Sequence, residues 1–507
     1  MASTTHKVRS RKRSGGSSSR QGFGQRFAAA TTGARGRLIA LFGFLLLAAL
    51  TGGGSRADIQ SLPLLRPAAV LFLVYALIVT SREKLRGVRV PMLWVLALMA
   101  LALLQLVPLP YDIWTALPNR EAIAEFGRIV GQPDAARPLS LDPNRTWNTF
   151  FALFVPLAAI ALVAAQEPAQ RKHILPALIG IGLLSAIFGV VQTMGTDALH
   201  LYRITNDRHP VGLFANRNHQ SILLLWLMLA ISFHWSAPAA KRRSVGALVG
   251  VPLGAIVLLF PLLVLTGSRA GLLLSIPTLL VCLWLLLRRI SDDTGNRGWK
   301  KKGTGQKEIA RRSTLILIGG MALVLLVVAA MLVGLAGDDR QTALARLFET
   351  SDIEEVRWNY FPIFWQMAKD FLPFGSGFGT FEAAFRMYEP VEILRLRYLN
   401  QAHNDPMQLL IEGGLAAVLL ALAGVAWVVL ACWRQWRSSS DRTRDFALFF
   451  LAGIGVWLLA SFVDYPLRTP LAATVLACLT AMLSLVNTSD ISALGLSRTN
   501  RSGGVRT

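Results

Sequence analysis

The stretch AHNDPMQLLIEGG (402–414) sets His403, Asn404 and Asp405 against the start of a long apolar run. Imidazole is the side chain best suited to take a proton near neutral pH. Far off in the chain, Arg269 occupies VLTGSRAGLLL, a tight turn between two apolar runs, and Arg357 opens the aromatic-rich RWNYFPIFW. A guanidinium in such a turn is costly to insert, and its planar fork suits bidentate contact with phosphate. Fixed cations beside a proton acceptor are the parts needed to expel a phosphate leaving group. Arg217 and His219, in GLFANRNHQS, either bind phosphate or belong to a polar turn capped by Asn218. Glu412 is the lone acid inside an apolar run; it is either functional or simply favoured near a helix N-terminus. Asn404 and Asp405 either orient the imidazole or cap the following helix, with capping the better reading for Asp405. Asp464 and Arg468, in DYPLRTP, suggest a local ion pair.

Such residues can cooperate only if the intervening elements bring them to one place. The chain has 507 residues, is 53% hydrophobic and carries 16% charged residues, and its apolar residues fall in blocks. The blocks lie at about 38–51, 67–80, 90–107, 148–165, 173–192, 219–235, 246–266, 270–287, 314–336, 407–432, 446–463 and 469–487. Most match the length needed to cross a bilayer as a helix, and they lack the alternation of barrel strands. The fold class expected is an all-α polytopic integral membrane protein of about twelve transmembrane helices.

The net charge of +23 reflects orientation rather than nucleic-acid binding. With the N-terminus inside and the spans alternating, 34 of the 52 Lys+Arg fall on the inner side, whereas 20 of the 29 acidic residues fall outside. That asymmetry is the positive-inside signature. The expected organisation is a disordered basic tail over 1–37, spans one to nine within 38–336, a large outer loop over 337–406, spans ten to twelve within 407–487 and an inner tail over 488–507. The first apolar block, followed by TGGGS, looks like a signal peptide, although its polar leader is long for one. Cys282, Cys432 and Cys478 lie in separate apolar runs without metal-type spacing, so burial is expected.

Two outer loops are long, 108–147 and 337–406, and long loops tend to be functional. In the second, Trp358, Phe361 and Trp365 recur at helical spacing. They mark a surface helix with its aromatic stripe either on the membrane surface or packed on neighbouring spans. GSGFG lacks the dinucleotide-binding spacing and reads as a flexible turn between two surface helices.

The stretches RPLSLDPNRTW, GLFANRNHQS, LTGSRAGLLL, RWNYFPIFWQMAKDFLPFGSGFGTF, AHNDPMQLLIEGG and DYPLRTP occur in this order. In that order, with a dozen spans and a large late loop, the chain resembles the O-antigen ligase and polymerase superfamily of bacterial envelope enzymes. The resemblance implies a multi-pass protein of the bacterial inner membrane whose active site faces the periplasm. It implies a glycan donor linked to undecaprenyl pyrophosphate, a lipid A–core or growing-glycan acceptor, and no cofactor, metal or nucleic acid. It also implies that His403, Arg269 and Arg357 are catalytic; Arg217, His219, Asn404 and Glu412 are candidate binding residues on their own residue chemistry. Breaking a sugar–pyrophosphate bond leaves a polyanion that Arg269 and Arg357 could hold, while His403 either accepts the acceptor's proton or orients it. Ligase and polymerase share these motifs. A transporter would fit the span count, but it usually shows repeated halves and mid-membrane charges; a non-catalytic scaffold would not need both Arg269 and His403.

Overall fold

The computed structural model describes residues 32–195, 199–236, 245–297, 319, 352–391, 399–437 and 441–488. The expected ninth span (314–336), the start of the large loop and most of both tails lie outside the described residues. The described chain is overwhelmingly helical, as expected of an all-α polytopic protein. The long helices are α1 (Ala34–Thr51), α2 (Leu62–Val79), α4 (Arg89–Leu104), α8 (Phe154–Ala165), α9 (Ile174–Thr193), α10 (Arg217–Ser236), α11 (Val245–Leu265), α12 (Arg269–Arg297), α15 (Asp405–Arg437), α16 (Asp441–Ala460) and α17 (Pro470–Thr488). The remaining helices are α3 (Arg82–Gly87), α5 (Tyr111–Thr115), α6 (Glu121–Ile129), α7 (Pro143–Ala152), α13 (Asp352–Phe371) and α14 (Phe381–Phe385). Among the described residues, seven helices are long and apolar enough to cross a membrane, α7 and α8 counting together as one, and three more apolar helices are shorter.

Helix α10 falls outside both groups but is the most enclosed of all, with every residue from His219 to Phe233 buried. A helix apolar on all sides belongs in the middle of a bundle, and α9, α11, α12 and α16 surround it. Helix α1 packs on α2, α8, α9 and α17. The glycines after it are stitched into the fold: the Gly52 carbonyl accepts from Leu471 N–H at 2.8 Å and the Gly53 carbonyl from Ala215 N–H at 3.1 Å. The signal-like segment thus packs within the bundle.

The connecting segments sort into two ends. At one end Glu167 pairs with Arg37 at 2.5 Å and Lys84 at 2.8 Å, Arg288 pairs with Asp445 at 3.3 Å, and Ser484 Oγ donates to the Gly87 carbonyl at 2.7 Å. At the other end the loop before α2, the loop before α10, the α16–α17 turn and both long loops bond to one another. Among the described residues, the basic side chains Arg37, Lys84 and Arg288 thus lie at one end and the candidate chemistry at the opposite one.

The two long loops form one clasped structure. Pro108–Leu109 pairs antiparallel with Arg137–Pro138, making a short two-stranded ladder. Leu141 N–H donates to the Ser376 carbonyl at 2.9 Å, Thr146 Oγ1 to the Phe378 carbonyl at 2.7 Å, and Arg145 pairs with Glu382 at 3.2 Å. Within α13 the packed face carries Tyr360, Phe364, Met367 and Phe371, which meet Phe381 and Phe385 of α14. Phe361 and Trp365 of the anticipated stripe are exposed, and the side chain of Trp358 lies outside the described residues. The GSGFG segment does link α13 to α14, but flexible it is not. Ser376 and Gly377 N–H donate to the carbonyls of Ile411 and Glu412 at 2.9 and 2.8 Å, and Phe378 N–H donates to Gln105 Oε1 at 2.8 Å.

Those acceptors exist because α15 is broken. Gly414 has φ 60° and ψ −158°, a conformation essentially reserved to glycine. The break frees carbonyls that a continuous helix would have used, and the clasped loop supplies their donors. Non-helical backbone at membrane depth is tolerated where protein encloses it. A Cβ at Gly414 would lie 2.2 Å from the Pro373 carbonyl oxygen, while Leu415 N–H donates to that same oxygen at 2.9 Å. The outer part of α15, Asp405 to Gly413, is thereby set off from the membrane-crossing remainder.

Candidate active site

His403 stands immediately before that outer segment. Its φ is 51°, unusual for a residue with a side chain. Its neighbours hold it there. Ala402 N–H donates to Gln408 Oε1 at 3.0 Å, Asp405 N–H to the Ser461 carbonyl at 2.8 Å, and Met407 N–H to Asn404 Oδ1 at 2.9 Å. Asn404 is thus the cap of α15, and Asp405, expected in that role, is engaged elsewhere. An asparagine one residue before the helix suits capping, and Asp405 has a cation to meet.

The partner of the imidazole is Asp464. His403 Nδ1 lies 3.3 Å from Asp464 Oδ1, and the ring meets Tyr465 edge-on at 4.8 Å. The other carboxylate oxygen, Oδ2, accepts from Asn218 Nδ2 at 2.6 Å and Asn216 Nδ2 at 3.2 Å, and Tyr465 N–H donates to Oδ1 at 3.0 Å. Asp464 is buried, whereas the His403 side chain keeps 19% of its surface. A buried carboxylate on Nδ1 leaves Nε2 of a neutral ring as the proton acceptor, the orientation logic of acid–base dyads.

This geometry corrects two readings of the sequence. Asn218 does not cap α10: Asn216 Oδ1 accepts Asn218 N–H at 2.9 Å, freeing the Asn218 amide for Asp464. Asp464 and Arg468 do not pair with each other; Arg468 bonds Asp405 at 2.9 Å and Glu412 at 3.3 Å. Burial opposes the charge on Arg468, but the two facing carboxylates outweigh it and hold its pKa above the ordinary value. Glu412 is 1% exposed and accepts further from Gln408 Nε2 at 2.9 Å and Phe381 N–H at 3.2 Å. Every observed partner of Glu412 is structural: it ties the outer part of α15 to the α16–α17 turn and to α14.

His219 reaches the same aspartate from behind, with Nε2 4.0 Å from Asp464 Oδ1 and its ring beside Tyr465 and Phe214. It is buried, and neither ring nitrogen has a hydrogen-bond partner among the described residues. Arg217 is half-buried; its N–H donates to Asn206 Oδ1 at 3.1 Å and its guanidinium touches the His209 ring. Arg269 is half-buried at the first residue of α12. Two residues on, Gly271 lies so close to Ser221 that a Cβ there would fall 2.5 Å from its Oγ. Ser221 Oγ donates to the Asn218 carbonyl at 2.7 Å, and Asn218 binds Asp464. Gly271, two residues after Arg269, is thereby linked through Ser221 and Asn218 to Asp464, which puts the start of α12 at the same end of the bundle as the His403–Asp464 pair. Arg357 lies in α13, and its side chain is outside the described residues. Among the described residues no three His, Cys, Asp or Glu side chains are grouped as a metal site.

Sequence reasoning missed Asp464 as the centre of the cluster, and the polar DYPLRTP turn between two apolar runs was its signal. These observations define a multi-pass α-helical membrane protein with a His–Asp pair and arginines at one end of its bundle. Residues 254–422 match the family model described as O-Antigen ligase, which supports placing the chain in the O-antigen ligase and polymerase superfamily. That stretch contains Arg269, Arg357, His403 and Glu412, while Asp464 and Arg468 lie beyond it. No curated protein matches the chain.

Proposed function

We propose that this protein is a glycosyltransferase of the O-antigen ligase type in the bacterial inner membrane. It moves a glycan from undecaprenyl pyrophosphate to lipid A–core or to a growing polysaccharide at the periplasmic face. The observation that carries this reading is His403 Nδ1 set 3.3 Å from buried Asp464, with the imidazole still partly open. The acceptor hydroxyl loses its proton to Nε2 of His403 as its oxygen bonds to the anomeric carbon. The bond from that carbon to the pyrophosphate oxygen breaks, and its electron pair departs on undecaprenyl pyrophosphate. Arg269 and Arg357 hold the growing negative charge, without a metal; removing one such donor typically costs on the order of 100–1,000-fold. Asp464 stabilises the imidazolium that forms.

The test incubates the purified chain with an undecaprenyl-pyrophosphate glycan and candidate acceptors. Transfer that disappears in His403→Ala and Arg269→Ala supports the reading, and undiminished transfer in both refutes it. A deletion strain separates ligase from polymerase: polymer accumulating on its carrier means ligase, and single repeat units mean polymerase.

A further inference from the structure

Helix α2 carries Arg66 inside an apolar sequence, at the border between its packed face and the face bearing Val74 and Leu77. Its guanidinium bonds a neutral group, Nη1 to Asn148 Oδ1 of α7 at 2.6 Å, and its Nε is buried without a partner. Among the described residues no carboxylate pairs with Arg66. The nearby Arg145 is different, being paired with Glu382 at 3.2 Å, a carboxylate it shares with Arg386, and with Asp142 at 3.9 Å. Among the described residues, the charge of Arg66 therefore stays uncompensated where α2 meets α7. A charge left so in an apolar setting is costly and marks a site by default.

The surroundings are apolar and open. Trp147 is 41% exposed and Phe151 45%, and their rings stack at 5.8 Å on either side of Asn148 in the sequence. Val74 and Leu77 lie two and three turns further into the membrane and are also exposed. Arg66 stands near the end of α2 that comes after the Gly52–Gly54 loop, the end that also holds His403. We infer that Arg66, Asn148 and the Trp147–Phe151 pair form a seat for an anionic phospholipid of the outer leaflet. Its phosphodiester takes the guanidinium, and an acyl chain lies along Phe151, Val74 and Leu77. A single phosphodiester charge matches the single unpaired cation, and the open apolar track favours a lipid over a free anion. The inference does not rest on the proposed transfer reaction.

The test is native mass spectrometry of the detergent-solubilised full chain, titrated with phosphatidylglycerol and, separately, phosphatidylcholine. The expected result is one phosphatidylglycerol held about tenfold more tightly than phosphatidylcholine, with Arg66→Gln abolishing that preference. Because Arg66→Gln could also loosen α2 from α7, Asn148→Asp is the second variant. It gives Arg66 an internal carboxylate, so it should displace the lipid while the unfolding temperature holds or rises. Equal retention of both lipids by the wild type overturns the inference, as does an unchanged preference in Asn148→Asp. Displacement of phosphatidylglycerol by millimolar inorganic phosphate would also overturn it, by showing a site for a soluble anion. Transfer activity enters none of these readouts, so this inference can fail or stand independently of the proposed enzyme.

Discussion

Replacing Asp464 by asparagine keeps the shape of the side chain and removes its charge, and the outcome depends on which oxygen the new amide nitrogen replaces. If the nitrogen takes the Oδ1 place, it faces His403 Nδ1 at 3.3 Å and the Tyr465 N–H at 3.0 Å. The ring must then accept at Nδ1 and carry its proton on Nε2, where it cannot act as a base. If the nitrogen takes the Oδ2 place, it opposes the amide donors of Asn216 and Asn218, and the imidazolium loses its counter-charge. Both orientations impair proton transfer. The equivalent change in a serine-protease triad costs about 10,000-fold. Here the contact is longer and the imidazole partly solvated, so we expect a fall in kcat of about 100–1,000-fold, or about 2.7–4 kcal/mol on the barrier. KM should change little. The assay is steady-state transfer by purified protein, with unfolding temperature as the control. Asp464→Asn combined with His403→Ala should be no slower than His403→Ala alone, because the two residues act as a unit. A kcat within threefold of wild type in a folded Asp464→Asn protein, or losses that multiply in the double variant, would refute the pairing.

His403→Ala should lower kcat by roughly 100–10,000-fold, and a loss much smaller than that of Arg269→Ala would reassign His403 to orienting the acceptor. Arg468→Met strands the carboxylates of Asp405 and Glu412 and should destabilise the fold by about 3–5 kcal/mol, read as an earlier denaturant midpoint; adding Glu412→Gln should recover part of it. Gly414→Ala places a Cβ against the Pro373 carbonyl at a glycine-only conformation and should cost at least about 1–3 kcal/mol, checked by thermal unfolding. Burial pushes the Tyr202 phenol up to about 12. The folded state then holds this proton more tightly than the unfolded one, so the contribution is complete below pH 10 and lost as pH rises toward 12. Across that window wild type should lose on the order of 2–3 kcal/mol more than Tyr202→Phe, and parallel alkaline unfolding curves would count against it.

The helices were legible because runs of apolar residues at membrane length admit one structure, and Arg/Lys asymmetry orients them. Helix α10 shows that reading's limit: its polar opening residues dilute its mean hydropathy, yet it sits at the centre. Boundaries were less legible. Residue 414 looked like the interior of span ten, because nothing local reveals that GSGFG, some forty residues earlier, supplies donors for a broken helix. The stripe of α13 is open to two readings in the sequence for a related reason, since Trp358, Phe361 and Trp365 share a helical periodicity with Tyr360, Phe364 and Phe371; the exposure of Phe361 and Trp365 agrees with the surface alternative. Which face packs depends on α14, a tertiary partner. The clearest case is DYPLRTP, where an acid and a base four residues apart suggested each other. The fold instead presents His403 and the asparagines Asn216 and Asn218 at the start of α10 to Asp464, and two carboxylates of α15 to Arg468.

That exchange of partners couples the clasped loops to the chemistry. The outer segment of α15 is held on one side by the clasp, through the Ile411 and Glu412 carbonyls, and on the other by Arg468, through Asp405 and Glu412. His403 stands at the free end of this segment, while Asp464 stands at the start of the turn that carries Arg468. Any shift of that segment along its axis therefore changes the His403–Asp464 distance. Errors of about 1 Å in such an arrangement can cost about 100-fold. Loosening the clasp at Gln105, which bonds both Phe378 N–H and the Glu412 carbonyl, should consequently lower kcat more than it raises KM. If Gln105→Ala weakens acceptor or donor binding and leaves kcat intact, the clasp serves binding alone and the mechanical link to His403 is wrong.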